Sequence, residues 1–268
     1  MGKFIVLFHK DPVIDFTNTQ DLFEAIEAIH CVSGDVLVIT NVSPPSFTEI
    51  ERQRTIRRRK FRWRRYEAEA RTLVIAIPSG VYEFLHRQLY KEFEKQLRVN
   101  GVPEDAWLEK AATYFRSNHP GSGGGGGGEG DSTGAPKSRR LGYDGWPTLV
   151  ILAGASESLN QLRADMRWWF VASTHDVKIA ILARFDQRQF RIILEKWEEQ
   201  AATLRPVLQQ VITITRDATT PVSYNVSSSA LVLEFRLLFL RNPSPLEKDV
   251  VISVQSLQEY AELVWSEV

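Results

Sequence analysis

Glu129-Gly130-Asp131 and, after a short polar connector, Asp144-Gly145-Trp146-Pro147-Thr148-Leu149-Val150-Ile151-Leu152 are the residues on which the reading of this chain turns. The apolar run Leu149 to Leu152 has the length and composition of a buried strand. A turn at Gly154-Ala155-Ser156 follows, then a helix with Leu159, Leu162, Met166, Trp169 and Phe170 on one face. Val177–Phe185 and Phe190–Trp197 form a hairpin around Asp186-Gln187-Arg188-Gln189. Upstream, Ser79 caps a helix whose Val81, Leu85, Leu89, Phe93 and Leu97 recur every four residues, and Asn100-Gly101 ends it. From Ser79 to Trp197 the order is helix, three strands, helix, two strands.

Towards the N-terminus, Lys3–Phe8 reads as a first strand, because its apolar stretch is too short for a leader segment. Asp21–Ile29 places Leu22, Phe23, Ile26 and Ile29 at helical spacing, and Asp35–Asn41 reads as a buried strand. Pro44-Pro45 breaks the chain. Ser46 with Glu49 then makes a capping box that opens an Arg-rich helix running toward Ala70, before a strand at Arg71–Ile77. Ser117–Ser138, with six consecutive glycines from Gly123 to Gly128, is expected to be an exposed, flexible insertion. Val211–Thr215 and Leu231–Phe235 are expected strands. Ser256 with Glu259 opens a terminal helix carrying Leu257, Tyr260, Ala261, Val264 and Trp265. The expected organisation is a strand–helix–strand extension over 1–45, a basic helical segment over 46–70, and a core over 71–268 with the glycine-rich insertion at 117–138.

A hydrophobic content of 43% with 25% charged residues is that of a soluble globular protein, and no run of 18 apolar residues would span a membrane. The single cysteine, Cys31, excludes an internal disulfide and Cys-pair zinc sites. It fits a reducing intracellular compartment, cytoplasmic or nuclear. The net charge of zero hides an asymmetry, because residues 52–65 hold nine basic residues and no acid while the remainder is acidic. Within that run Arg57, Arg58, Arg59, Lys60, Arg62, Arg64 and Arg65 are candidates for phosphate contact with DNA or RNA. Trp63, with Phe61 and Tyr66, would stack on bases. Nuclear import and a simple solvated face account for the same pattern. There is no Gly-Lys-Ser/Thr phosphate loop and no Gly-x-Ser-x-Gly nucleophile elbow, and the five histidines are scattered.

The element order suits metal-dependent phosphodiester cleavage, in which a helix and a central hairpin supply acids that hold Mg²⁺ or Mn²⁺. Glu83 is the candidate helix acid and Asp131 the candidate hairpin acid. Bland roles compete for the other residues. His86 suits packing, Glu157 between Ser156 and Ser158 suits helix capping, and Asp165 with Trp168-Trp169 suits helix packing. Glu195 and Glu198 around Lys196-Trp197 suit a surface ladder.

Over residues 71 to 267 the chain resembles a group of fungal proteins with a PD-(D/E)XK nuclease-like core, itself similar to bacterial Uma-type endonuclease-like domains. The resemblance is carried by Ile77-Pro78-Ser79-Gly80 with Glu83 and His86, by Glu129-Gly130-Asp131, and by Trp146-Pro147-Thr148-Leu149-Val150. Gly154-Ala155-Ser156-Glu157-Ser158-Leu159, Asp165-Met166-Arg167-Trp168-Trp169, Val177-Lys178-Ile179, Glu195-Lys196-Trp197-Glu198 and Phe239-Leu240-Arg241 complete it. It implies an α/β, restriction-endonuclease-like core with a mixed central sheet flanked by helices. It also implies an acid at position 152 and a lysine two residues on, where this chain has Leu152 and Gly154. The expectation is a nuclease-derived protein with a degenerate metal site that retains nucleic-acid binding. One alternative is an active Mg²⁺- or Mn²⁺-dependent endonuclease with Glu83, Asp131 and Lys178 as its rearranged catalytic set and Asp131 and Glu83 on the metal. The other is a non-catalytic interaction protein that self-associates through its Trp-rich helix and C-terminal strands.

Overall fold

The computed structural model describes residues 12–31, 36–57, 61–110, 114–116, 126–140, 145–155 and 157–268. Within these the chain is a mixed α/β protein with two principal sheets. The first sheet is built from β1 (Val13–Asp15), β2 (Val36–Thr40), β3 (Arg62–Glu67), β4 (Thr72–Ala76), β6 (Tyr114–Arg116) and β7 (Gly127–Glu129). Their order is β1-β2-β4-β3-β7-β6. Helix α1 (Thr19–Cys31) buries the expected stripe of Leu22, Phe23, Ile26 and Ile29. Together with Phe47 and Ile50 of α2 (Pro44–Ile56) it covers Leu37, Ile39, Leu73 and Ile75 of the sheet. The expected strand Lys3–Phe8 lies outside the described residues.

The second sheet has the order β13-β12-β11-β10-β9-β8-β5. It comprises β5 (Trp107–Glu109), β8 (Ser132–Pro136), β9 (Leu149–Gly154), β10 (Ile179–Asp186), β11 (Arg191–Gln200), β12 (Arg205–Asp217) and β13 (Ser223–Val226). Only β9 and β10 run parallel, and their crossover is α4 (Leu159–Ala172). The side chains of these two strands alternate between two buried faces. Leu149, Ile151, Ala153, Ile179 and Ile181 face α3 (Gly80–Val99) and α6 (Val254–Trp265), while Val150, Leu152, Ala180 and Leu182 face α4. A strand pair covered on both faces has to be apolar throughout, which is why the runs around them looked continuous in the sequence. A small pair, β14 (Leu231–Leu233) with β15 (Val250–Ile252), and the short helix α5 (Phe235–Phe239) close the α3 side.

Several sequence expectations are corrected. No helix runs from Ser46 toward Ala70: α2 begins at Pro44, with Ser43 as the N-cap accepting from the Ser46 amide, and stops at Ile56. Pro44 opens the helix because the first helical position needs no amide hydrogen. The rest of the basic run becomes strand β3, since pairing with β4 lets Trp63 and Tyr66 enter the first core. The boundary drawn at residue 71 does not coincide with a sheet boundary, because β4, β6 and β7 all lie in the first sheet. The glycine-rich insertion is also shorter than expected. β7 and β8 fall inside it, Gly121–Gly125 lie outside the described residues, and Gly127 and Gly128 are buried strand residues. A Cβ at Gly128 would stand 2.5 Å from the Arg64 carbonyl oxygen and 2.9 Å from the Trp168 ring, so only glycine lets β7 lie there. The terminal helix starts at Val254 on a Ser253 cap, three residues before the expected one.

Candidate functional site

The chain leaves the first sheet at Glu129 and enters the second at Ser132, so Gly130 and Asp131 form the crossing point between the two. Asp131 stands one step beyond the Ser132–Ile151 pair, beside Leu152. Its Oδ2 accepts from the Ala153 amide at 2.7 Å, and its other oxygen accepts a short hydrogen bond from the Tyr82 hydroxyl. This is the residue for which the sequence led to the expectation of a metal-ligating acid.

A guanidinium lies against it. In β3 the register slips between Trp63, which pairs with Ile75, and Arg65, which pairs with Val74, so Arg64 is the extra residue of a β-bulge. A bulge re-aims side chains that simple alternation would place on opposite faces. Here Arg64 and Arg65 both turn away from the first core and toward the acids. Arg64 Nη1 lies 2.7 Å from Asp131 Oδ2 and Nη2 lies 2.8 Å from Glu157 Oε2. Arg64 Nη2 also donates a short hydrogen bond to the Ala153 carbonyl, and Nε is 3.8 Å from Asp165 Oδ2. The Arg64, Asp131 and Glu157 side chains have no solvent exposure. The guanidinium lies 5.6 Å from the Tyr82 ring centroid.

The neighbouring arginines extend this arrangement. Arg65 pairs closely with Asp165 and at 2.7 Å with Glu67. Arg62 Nη2 lies 2.9 Å from Glu83 Oε1, and its Nη1 donates to the Asp131 carbonyl at 3.2 Å. Arg54 of α2 forms a bidentate pair with Glu129 at 2.8 and 3.1 Å, and Glu129 also accepts from the Trp63 amide. Burial opposes the charge of Glu83, but its hydrogen bond to His86 and the Arg62 guanidinium outweigh that and hold the carboxyl at about 2. Burial also lowers the Arg62 pKa, yet the fields of Asp131, Tyr82 and Glu83 raise it overall, whereas for Arg65 burial prevails and the pKa falls. Burial keeps the Tyr82 hydroxyl protonated, well above the usual phenol range, so it acts as a donor.

Glu83 and Asp131 are therefore neighbours, joined through Arg62 and Tyr82 rather than through a shared cation position. Lys178 is not with them. It precedes β10 level with Thr148, four residues or roughly 13 Å along the strand from Asp131, and its ammonium is held by the His175 carbonyl at 2.6 Å. Among the described residues no group of three His, Cys, Asp or Glu is arranged to hold a metal ion.

The expectation that the basic run presents a nucleic-acid surface is corrected for Arg62, Trp63, Arg64 and Arg65. Trp63 is 1% exposed, Phe61 3% and Tyr66 0%, so none can stack on a base. Arg57 is exposed at the end of α2, and Arg58, Arg59 and Lys60 lie outside the described residues.

Glu157 is a buried partner of Arg64 and leaves capping of α4 to Ser158. His86 is 1% exposed and its Nδ1 lies 2.9 Å from Ser132 Oγ. The ladder expected at 195–198 is internal: Lys196 is 3% exposed and lies within 2.7 Å of Glu198 and Glu234, and Glu195 is bridged by Arg163. The Trp-rich helix turns Trp169 inward against Phe115 and Trp146. The one sequence signal for the arginine cluster was the strand-like spacing of Phe61 and Trp63 within the basic run.

Compared with protein-family models, curated proteins and solved structures, the chain finds no match. No helix among the described residues is long and apolar enough to cross a membrane.

Proposed function

We propose that this chain is a nuclease-derived, non-catalytic protein, with a restriction-endonuclease-like core in which the Arg64 guanidinium has taken the place of the divalent cation, and that it retains nucleic-acid binding. The order α3, β5, β8, β9, α4, β10 supports the core reading: three antiparallel strands lead through a helical crossover to a strand parallel to the third. Asp131 at the head of β8, against β9, is where such a core carries its first acid.

The observation that carries the loss of catalysis is the salt bridging of Arg64 to Asp131 and Glu157 inside a fully buried site. A hard cation requires several oxygen ligands at 2.0–2.6 Å, roughly, and would have to displace a guanidinium that already satisfies them. The neighbouring position is Leu152, packed in the apolar cluster with Leu162, Met166 and Leu182. The residues present therefore do not fit Mg²⁺ or Mn²⁺. Arg57 is exposed, and in the sequence it begins a run of four adjacent cations, Arg57-Arg58-Arg59-Lys60.

The test is incubation of the full chain with plasmid DNA, single-stranded DNA and RNA in Mg²⁺ or Mn²⁺, alongside binding measured over a salt series. The expected result is binding that weakens with salt and no cleavage. Cleavage that disappears in Asp131→Asn would overturn the proposal.

A further inference from the structure

Helix α3 distributes its charge unevenly. Between its ends, Gly80 and Val99, every exposed side chain is cationic: Arg87, Lys91, Lys95 and Arg98. Its acids, Glu83, Glu92 and Glu94, are all half-buried, and two of them reach the ridge, Glu83 pairing with Arg87 at 2.6 Å and Glu92 with Lys95. The spacing of four, four and three residues aligns the four cations along one side of the helix over about 16 Å. That is the axial rise of roughly five nucleotides of one strand.

The ridge borders a groove against α6 of about 350 Å³, lined by Lys91, Lys95 and Arg98 on one side and by Ser256, Tyr260 and Leu263 on the other. Glu92 and Glu259 also reach the groove. Glu92 lies 3.1 Å from Lys95, and Glu259 accepts from Gln255. Lys91 and Arg98 make no ion pair among the described residues. The ridge touches the arginines of β3 through Glu83, which pairs with both Arg62 and Arg87, while Arg64 and Arg65 are neutralised internally by Asp131, Glu157 and Asp165.

We infer that the α3 ridge of Arg87, Lys91, Lys95 and Arg98 is the surface that receives the phosphates of a nucleic-acid strand, laid along the α3–α6 groove. This rests on the nucleic-acid part of the reading above and names the surface that part left open. Backbone contacts of this kind supply affinity without base preference, and they are strongly salt-dependent because each neutralised phosphate releases a counterion.

The experiment is fluorescence anisotropy of labelled single-stranded DNA, RNA and duplex DNA over a salt series. Two variants of the full chain are compared with wild type. One carries Lys91→Gln, Lys95→Gln and Arg98→Gln together, all at exposed positions that leave the core untouched. The other carries Arg57→Gln, Arg58→Gln, Arg59→Gln and Lys60→Gln. The first is expected to bind at least about tenfold more weakly at low salt, with a log–log salt slope shallower by about 2 units, from roughly 0.7 per lost phosphate contact on a single strand. An unchanged slope in the first variant with binding lost in the second would overturn the inference and leave the nucleic-acid reading in place. No binding by the wild type to any of the three probes would overturn both.

Discussion

Replacing Arg64 by methionine keeps much of the side chain's length and apolar stem and removes the charge. The consequence follows from the geometry. Asp131 and Glu157 would each lose an ion-pair partner, at 2.7 and 2.8 Å, in a site with no solvent exposure. Breaking a buried pair by removing one partner costs about 3–5 kcal/mol, because the carboxylate left behind is neither hydrated nor compensated. Asp131 keeps the Ala153 amide and the Tyr82 hydroxyl as donors, but two ion pairs are lost at once, so the upper end applies, about 5 kcal/mol. In a domain of this size that corresponds to a fall in Tm of about 10–20 °C. Urea denaturation followed by tryptophan fluorescence is the assay, with wild type, Arg64→Met and the triple variant Arg64→Met, Asp131→Asn, Glu157→Gln measured together. The triple variant should recover most of the loss, since the cost lies in stranded charge rather than in the absent guanidinium. A loss below about 1 kcal/mol in Arg64→Met would refute the reasoning, placing Arg64 among ordinary surface pairs.

Three further outcomes are expected. Gly128→Ala should destabilise the chain by about 1–3 kcal/mol by forcing β7 off β3, read from the same urea transition. Leu152→Glu should cost at least about 3 kcal/mol and restore no cleavage, because the new carboxylate would enter the apolar cluster beneath α4. Glu83, held at about 2 in the folded chain against an ordinary value of 4.5, contributes stability that is complete above 4.5 and lost as pH falls toward 2. The stability difference between wild type and Glu83→Gln, measured from pH 7 down to pH 3, should shrink accordingly.

What could be read in the sequence was local. The four-residue stripe of α3, the Ser79 cap and the apolar strands β9 and β10 declare themselves through periodicity and capping chemistry within one element. The position of Asp131 at a strand junction followed from element order. The identity of its partner did not, because Arg64 lies 67 residues from Asp131 and 93 from Glu157, and no local property marks which arginine of a basic run turns inward. The bulge that aims Arg64 and Arg65 to the same side is a tertiary feature, fixed by the pairing of β3 with β4. The misplaced helix over 46–70 has a related cause. Charge density marked the segment as solvent-facing, whereas acids elsewhere in the chain neutralise it and allow Phe61, Trp63 and Tyr66 to be buried. The Lys196, Glu198 and Glu234 group escaped notice for the same reason, since Glu234 comes from a different part of the chain.

The measurement that bears most directly on the proposal that Arg64 stands in a cation's place is a calorimetric titration of Mn²⁺ into the full chain, with Mg²⁺ as competitor. With Arg64 holding Asp131 and Glu157, the account predicts no saturable heat beyond that of dilution. A single saturable site that Mg²⁺ competes for, and that vanishes in Asp131→Asn, would contradict it.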